Sequence, residues 1–164
     1  MQIKLENIIP IPLKENLQYR SSDIWNTTQV FNAGEWVNIK APSGTGKTTL
    51  IHFLYQLRFD FEGNIFWDNT NTKQINADAI AIVRQQKLSI VFQDLKLFGN
   101  LTARENIEIN RVLQQPYCAS EKIDEMAARL GITSILNQKV SLCSYGEQQR
   151  IAIIRALVQP FEFL

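Results

Sequence analysis

The segment Ala41-Pro42-Ser43-Gly44-Thr45-Gly46-Lys47-Thr48-Thr49 constrains this chain more than any other. It follows a short apolar run, Trp36-Val37-Asn38-Ile39, whose composition predicts a strand. It precedes Thr48 to Arg58, where Leu50, Ile51, Phe53, Leu54 and Leu57 recur at helical spacing. A loop between a strand and a helix can turn its backbone N–H groups inward, and the helix N-terminus adds roughly half a positive charge. The two together make a seat for phosphate oxygens. Gly44 and Gly46 supply unusual dihedrals and leave room for close backbone approach. Lys47 can reach β- and γ-phosphates, and the Thr48 hydroxyl can ligate Mg²⁺. The strict pattern has glycine where this chain has Ala41, which implies α or β backbone values there rather than a positive φ. The competing reading, a glycine-containing turn before an ordinary helix, is outweighed by the intact G-x-G-K-T-T core in its strand-to-helix setting. The loop does not name the nucleotide, because kinases, GTPases and ATPases share it.

Composition removes several other classes. Lys plus Arg number 17 against 16 Asp plus Glu, a net charge of +1, so nothing electrostatic points to nucleic acid or an anionic membrane surface. Any anion must be held locally, as such a loop would hold it. Cys118 and Cys143 form no C-x-x-C pair and His52 is the only histidine, so the spacing of a zinc site is absent. Lys4 and Glu6 interrupt the opening apolar residues, so there is no signal-peptide core, and the chain reads as cytosolic and reduced. No stretch approaches the ~20 apolar residues that span a bilayer, so membrane association is expected only through a partner.

Elsewhere, Ile3 to Ile9 alternates apolar and polar residues and predicts a first strand ended by Pro10 and Pro12, followed by a polar stretch to Asn32. Ala33-Gly34-Glu35 reads as a turn, Gly63 to Trp67 as a strand, Asp78 to Gln86 as a helix, and Leu88 to Phe92 as a buried strand. That alternation predicts an α/β layer arrangement. Thr102 with Glu105 forms a capping box that starts a helix, and Ser120 opens another that Gly131 closes. Ser144 with Glu147 is a second capping box, whose helix runs through Ile151, Ile154, Ala156 and Leu157 towards Pro160. Phe161-Glu162-Phe163-Leu164 reads as the beginning of one more strand.

Three segments after the loop resemble one family. Val91-Phe92-Gln93-Asp94-Leu95-Lys96-Leu97-Phe98 looks like a Q-loop, with a glutamine at a strand end. Cys143-Ser144-Tyr145-Gly146-Glu147-Gln148-Gln149-Arg150 and the Ile151 to Leu157 run that follows resemble the L-S-G-G-Q signature and its helix. Leu97-Phe98-Gly99-Asn100-Leu101-Thr102-Ala103-Arg104-Glu105-Asn106-Ile107 looks like the stretch L-F-P-x-L-T-x-x-E-N-I. On these residues the chain resembles the ATP-binding subunits of ABC transporters, most of all the small cassettes of lipoprotein release, macrolide export and cell division. It departs from them at Cys143, where leucine is usual, at Tyr145, where the first glycine stands, and at Glu147, which replaces glutamine.

The resemblance implies a P-loop NTPase core of the ABC ATPase type, about 1–94 and 146–164, with a helical subdomain insertion at about 95–145. It implies ATP and Mg²⁺ as cofactors. Ala41, Pro42, Ser43, Gly44, Thr45, Gly46, Lys47, Thr48 and Thr49 would surround the phosphates, with Lys47 and Gln93 in catalytic roles and Thr48 and Gln93 on the metal. Tyr19 would stack on adenine, with Trp25 as the competing aromatic. Ser144, Tyr145, Gly146 and Glu147 would face the nucleotide of a second ATPase subunit, a homodimer in the intact form. The other implied partner is an integral-membrane transporter subunit, with the cassette cytoplasmic and peripheral on the inner face of the membrane and no role for nucleic acid.

The family's next strand carries an aspartate and a glutamate needed for fast hydrolysis. The chain therefore reads as incomplete at the C-terminus and inactive alone. Unpaired strand edges in such a fragment would favour association with other chains. A degenerate module that holds ATP without turnover stays open as an alternative. A nucleotide kinase is disfavoured by the Gln148-Gln149-Arg150 helix.

Overall fold

The computed structural model describes residues 1–17, 22–113 and 116–164. They form two compact units, Met1–Arg84 with Phe163, and Gln85–Glu162 with Leu164. Among the described residues no helix is long and apolar enough to cross a membrane.

The first unit is built on strands β1 (Gln2–Pro10), β2 (Thr28–Asn32), β3 (Phe61–Trp67) and β4 (Thr70–Asn71), with helices α1 (Lys14–Leu17), α2 (Lys47–Leu54) and the larger part of α3 (Ala77–Gln86). The strands pair in the order β2-β1-β3-β4, each neighbour antiparallel. Alternation along β1 buries Ile3 and Leu5, which stand opposite Trp67 and Ile65 of β3. The phase then slips by one residue, so that Ile8 is buried instead of Asn7. The slip is a bulge: the register jumps between Glu6 and Ile9, Asn7 takes a φ of 51°, and Gly63 of β3 lies opposite with a φ of 87°. The freed Asn7 N–H donates to Thr27 O at 3.0 Å.

Helix α2 ends at Leu54, short of the expected Arg58. Two groups explain the stop. Gln56 turns left-handed with a φ of 56°, and Arg84 donates from Nε to Tyr55 O at 3.0 Å and from Nη2 to Gln56 O at 2.6 Å. These bonds occupy carbonyls left open where the helix ends. Phe53 of α2 packs into the core against Phe61 at 4.8 Å between ring centroids and against Trp25 at 6.3 Å.

The second unit holds helices α4 (Ala103–Val112), α5 (Glu121–Leu130) and α6 (Tyr145–Leu157) around Ile107, Ile123, Ala127, Ile151 and Ile154, all fully buried. Both predicted capping boxes form, at Thr102 with Glu105 and at Ser144 with Glu147. Gly131 closes α5 at a φ of 68°, in the left-handed C-terminal position that glycine favours. Ser120 opens α5 without capping it. Its hydroxyl donates instead to Glu108 Oε1 at 2.8 Å.

Three expected strands do not form. A strand needs a hydrogen-bonding neighbour, and the interior strands β1 and β3 are already paired on both edges. Trp36 is 102% exposed and the run to Ile39 has no regular structure. Leu88 to Phe92 is tied to the C-terminal segment: Gln159 Nε2 donates to Leu88 O at 2.8 Å, and Ser89 Oγ donates to Ala156 O at 2.7 Å. The Glu162 N–H likewise donates to Lys87 O at 2.8 Å, and Phe161–Leu164 forms no named strand. The polar stretch to Asn32 conversely contains β2, an edge strand paired only with β1.

Asn106 is a polar residue with 0% exposure, and its carboxamide is fully engaged. Oδ1 accepts the Phe98 N–H at 2.7 Å, while Nδ2 donates to Phe98 O at 3.0 Å and Thr102 O at 2.9 Å. The side chain thus replaces a strand partner for Phe98. Asn106→Ala leaves these backbone groups unpaired indoors and is expected to cost roughly 2–4 kcal/mol, read as a lower urea midpoint at unchanged slope.

Candidate phosphate loop and signature helix

The loop from Ala41 to Gly46 leads into α2 through two glycines in left-handed conformations, Gly44 at a φ of 77° and Gly46 at 98°. Gly46 is also hemmed in: a Cβ there would lie 2.6 Å from Leu13 Cδ1 and 3.0 Å from Trp25 Cζ2. Only glycine meets both demands. As the N-terminal cap, Gly46 offers no side chain to the first-turn N–H groups, whereas in α4 and α6 the Thr102 and Ser144 hydroxyls accept the N–H of Glu105 and Glu147. The opening of α2 therefore presents donors and a partial positive charge on an exposed surface, which fits an anion of phosphate shape.

Lys47 folds back across the loop, donating from Nζ to Ala41 O at 2.6 Å and to Pro42 O at 2.8 Å. Thr45 Oγ1 donates to the same Pro42 O at 2.8 Å. The lysine ammonium thus sits over the first residues of the loop, bonded to neutral carbonyls where an anionic phosphate oxygen would be the stronger acceptor. Thr48 and Lys47 are exposed, and Thr49 is half-buried.

Trp25 supports this loop from beneath. It is 8% exposed, its Nε1–H donates to Thr45 O at 3.2 Å, and its ring lies against Gly46 and Phe53. That burial corrects the expectation of Trp25 as an adenine-stacking competitor, because a ring buried to this degree offers no open surface to a base. Tyr19, the other aromatic candidate, lies outside the described residues. The support role of Trp25 was missed by spacing arguments, since it joins residues 20 apart.

In the second unit Gln93 is exposed and is followed by two successive left-handed residues, Leu95 at a φ of 58° and Lys96 at 47°. Ser144 caps α6. Its backbone N–H donates to Glu147 Oε2 at 2.7 Å and its hydroxyl to the same oxygen at 2.9 Å, while the Glu147 N–H reaches back to Ser144 Oγ at 3.4 Å. The Ser144 backbone N–H and then its hydroxyl hold the Glu147 carboxyl below the ordinary glutamate range. A negative charge therefore covers the start of α6 at neutral pH. Tyr145 is 61% exposed, and its hydroxyl lies 3.5 Å from Gln93 O. Gly146 is half-buried and adopts ordinary helical geometry within α6.

The chain is similar to known proteins. The family model for ABC transporter matches residues 26–164. The ABC transporter ATP-binding protein YxdL of Bacillus subtilis is 35% identical over 127 residues, 76% of this chain and 49% of the relative. A macrolide export ATP-binding/permease protein, MacB of Bdellovibrio bacteriovorus, is 30% identical over 125 residues, covering 76% of this chain and 19% of the relative. The uncharacterized ABC transporter ATP-binding protein MJ0796 of Methanocaldococcus jannaschii is 31% identical over 167 residues, 94% of this chain and 68% of the relative. A dimeric structure of that cassette, in a post-hydrolysis state with ADP and Pi, superposes with a TM-score of 0.76 at 28% identity, covering 95% of this chain and 69% of that one. The chain spans about half the length of YxdL and a smaller share of MacB. With the P-loop fold of an ABC ATPase cassette and a family match over most of its length, this chain belongs to the ABC transporter family, among its ATP-binding proteins.

Proposed function

We propose that this chain holds ATP with Mg²⁺ on the loop from Ala41 to Thr49, and that the whole protein couples ATP binding and hydrolysis to transport through a membrane-embedded partner. The observation that carries the reading is the opening of α2, where two left-handed glycines lead into a first turn with no side-chain cap and the Lys47 ammonium bonds the loop's Ala41 and Pro42 carbonyls. Lys47 would leave the Ala41 and Pro42 carbonyls for the β- and γ-phosphates, and the loop amides would hold the remaining oxygens. Thr48 and Gln93 are the proposed ligands of Mg²⁺, which would neutralise phosphate charge during transfer. Tyr19 is the proposed support for adenine.

The same reading divides the chain into a core, about 1–94 and 146–164, and a helical subdomain at about 95–145. It places the protein on the cytoplasmic face of the membrane. It also pairs the chain with a second ATPase subunit, whose nucleotide would meet Ser144, Tyr145, Gly146 and Glu147. The dimeric form of the related cassette supports that pairing. A second reading, nucleotide holding without turnover, is favoured by one feature: the exposed Tyr145 ring and the charged Glu147 stand where a phosphate would approach. Sedimentation velocity with MgATP and with a non-hydrolysable analogue tests the pairing. Nucleotide-dependent doubling of mass is expected with both, and a mass indifferent to nucleotide in both would contradict it.

A further inference from the structure

We propose that Arg155 of α6 is a positioning residue for the turn that follows Gln93, so that Gln93 and the Ser144 cap are carried by one helix and move together. The guanidinium reaches two successive carbonyls, donating from Nη2 to Leu95 O at 2.6 Å and from Nη1 to Lys96 O at 2.7 Å. A planar fork matches such a pair, whereas an ammonium could satisfy it only loosely. The carbonyls belong to the two left-handed residues, a conformation that L side chains avoid and that persists only where surrounding contacts over-determine it.

Those contacts are specific. The Leu95 N–H donates to Phe92 O at 3.0 Å, the Lys96 N–H to Asp94 O at 2.6 Å, and the Leu95 side chain is buried. None of these alone fixes the direction of the Leu95 and Lys96 carbonyls; the Arg155 fork does. Arg155 is half-buried, and burial lowers its pKa from the ordinary arginine value. A second tie reaches the same segment from the other end of α6, where the Tyr145 hydroxyl approaches Gln93 O. Ten residues of helix separate Tyr145 from Arg155, about 15 Å at the usual rise. The helix therefore holds the segment at Leu95 and Lys96, with the Tyr145 hydroxyl 3.5 Å from Gln93 O on the other side of Asp94.

The structural claim stands without ligand, while its effect on nucleotide rests on the role proposed above for Gln93. Amide hydrogen exchange on the full chain tests it. Arg155→Met is expected to speed exchange of the Leu95 and Lys96 amides by about tenfold or more, leaving the Asn106 and Gln148 amides of α4 and α6 at their wild-type rates. Arg155→Lys, which keeps the charge and loses the fork, is expected to rescue less than half of that change. Should Arg155→Met fail to fold, Tyr145→Phe, an exposed change of one hydroxyl, is expected to speed exchange at Gln93 to Lys96 alone by a few-fold. Exchange that rises evenly across the unit, stays unchanged at Leu95 and Lys96, or is fully restored by lysine overturns the proposal. Calorimetry on Arg155→Met then reads the consequence, a several-fold weaker MgATP affinity with MgADP affinity held. A wild-type chain that binds neither nucleotide would defeat the reading of the loop and leave the exchange result to decide the clamp.

Discussion

Gly63→Ala is expected to lower the stability of the first unit by roughly 3–5 kcal/mol, a large part of the 5–15 kcal/mol that holds a typical domain together. Two penalties combine. At a φ of 87° any side chain strains the backbone, and the added Cβ would lie 2.3 Å from Asn7 O and 2.5 Å from Glu6 O. Both obstacles are backbone atoms of β1, and they cannot move without opening the bulge that brings Ile8 into the core. Gly131→Ala is the matching control. Gly131 also has a positive φ, of 68°, but nothing lies within 4 Å of its Cβ position, so conformational strain alone is expected, about 1–2 kcal/mol. Urea unfolding of both variants checks the difference, and equal losses would show that the close approach at Gly63 is not what matters.

The bulge also shows where sequence reading stops. The alternation from Ile3 is visible in the residues, yet the slip at Asn7 depends on Gly63, more than fifty positions away and on another strand. Local chemistry was readable: the boxes at Thr102 with Glu105 and Ser144 with Glu147 form as expected, and Gly131 ends its helix, because each uses groups within a few residues. Trp36 to Ile39 and Leu88 to Phe92 failed as strands because a strand is made by its neighbour, which composition does not supply. Trp25 is visible in the sequence only as an aromatic, and Asn106 and Arg155 only as members of stretches that resemble the family; nothing in those patterns names their partners. Their roles come from bonds to the backbone at Thr45, Phe98 and Leu95 with Lys96. Within the loop, the glycines and Lys47 were legible because phosphate chemistry demands those residue types in that order.

The second large effect is at Lys47. Its ammonium is the charged side chain of the loop, and it closes the segment by bonding Ala41 O and Pro42 O. Lys47→Ala removes a charge-assisted bond to phosphate worth about 1.5–3 kcal/mol, or roughly 10- to 150-fold in affinity. It also releases the loop carbonyls, so the loss falls on binding while the exposed position leaves folding intact. Titration calorimetry of MgATP into the wild-type chain and into Lys47→Ala, with circular dichroism to confirm equal folding, is the most direct test of the account. Binding by the wild type that falls at least tenfold in Lys47→Ala is the predicted result, and equal binding by the two, or none by the wild type, would contradict the phosphate-loop assignment.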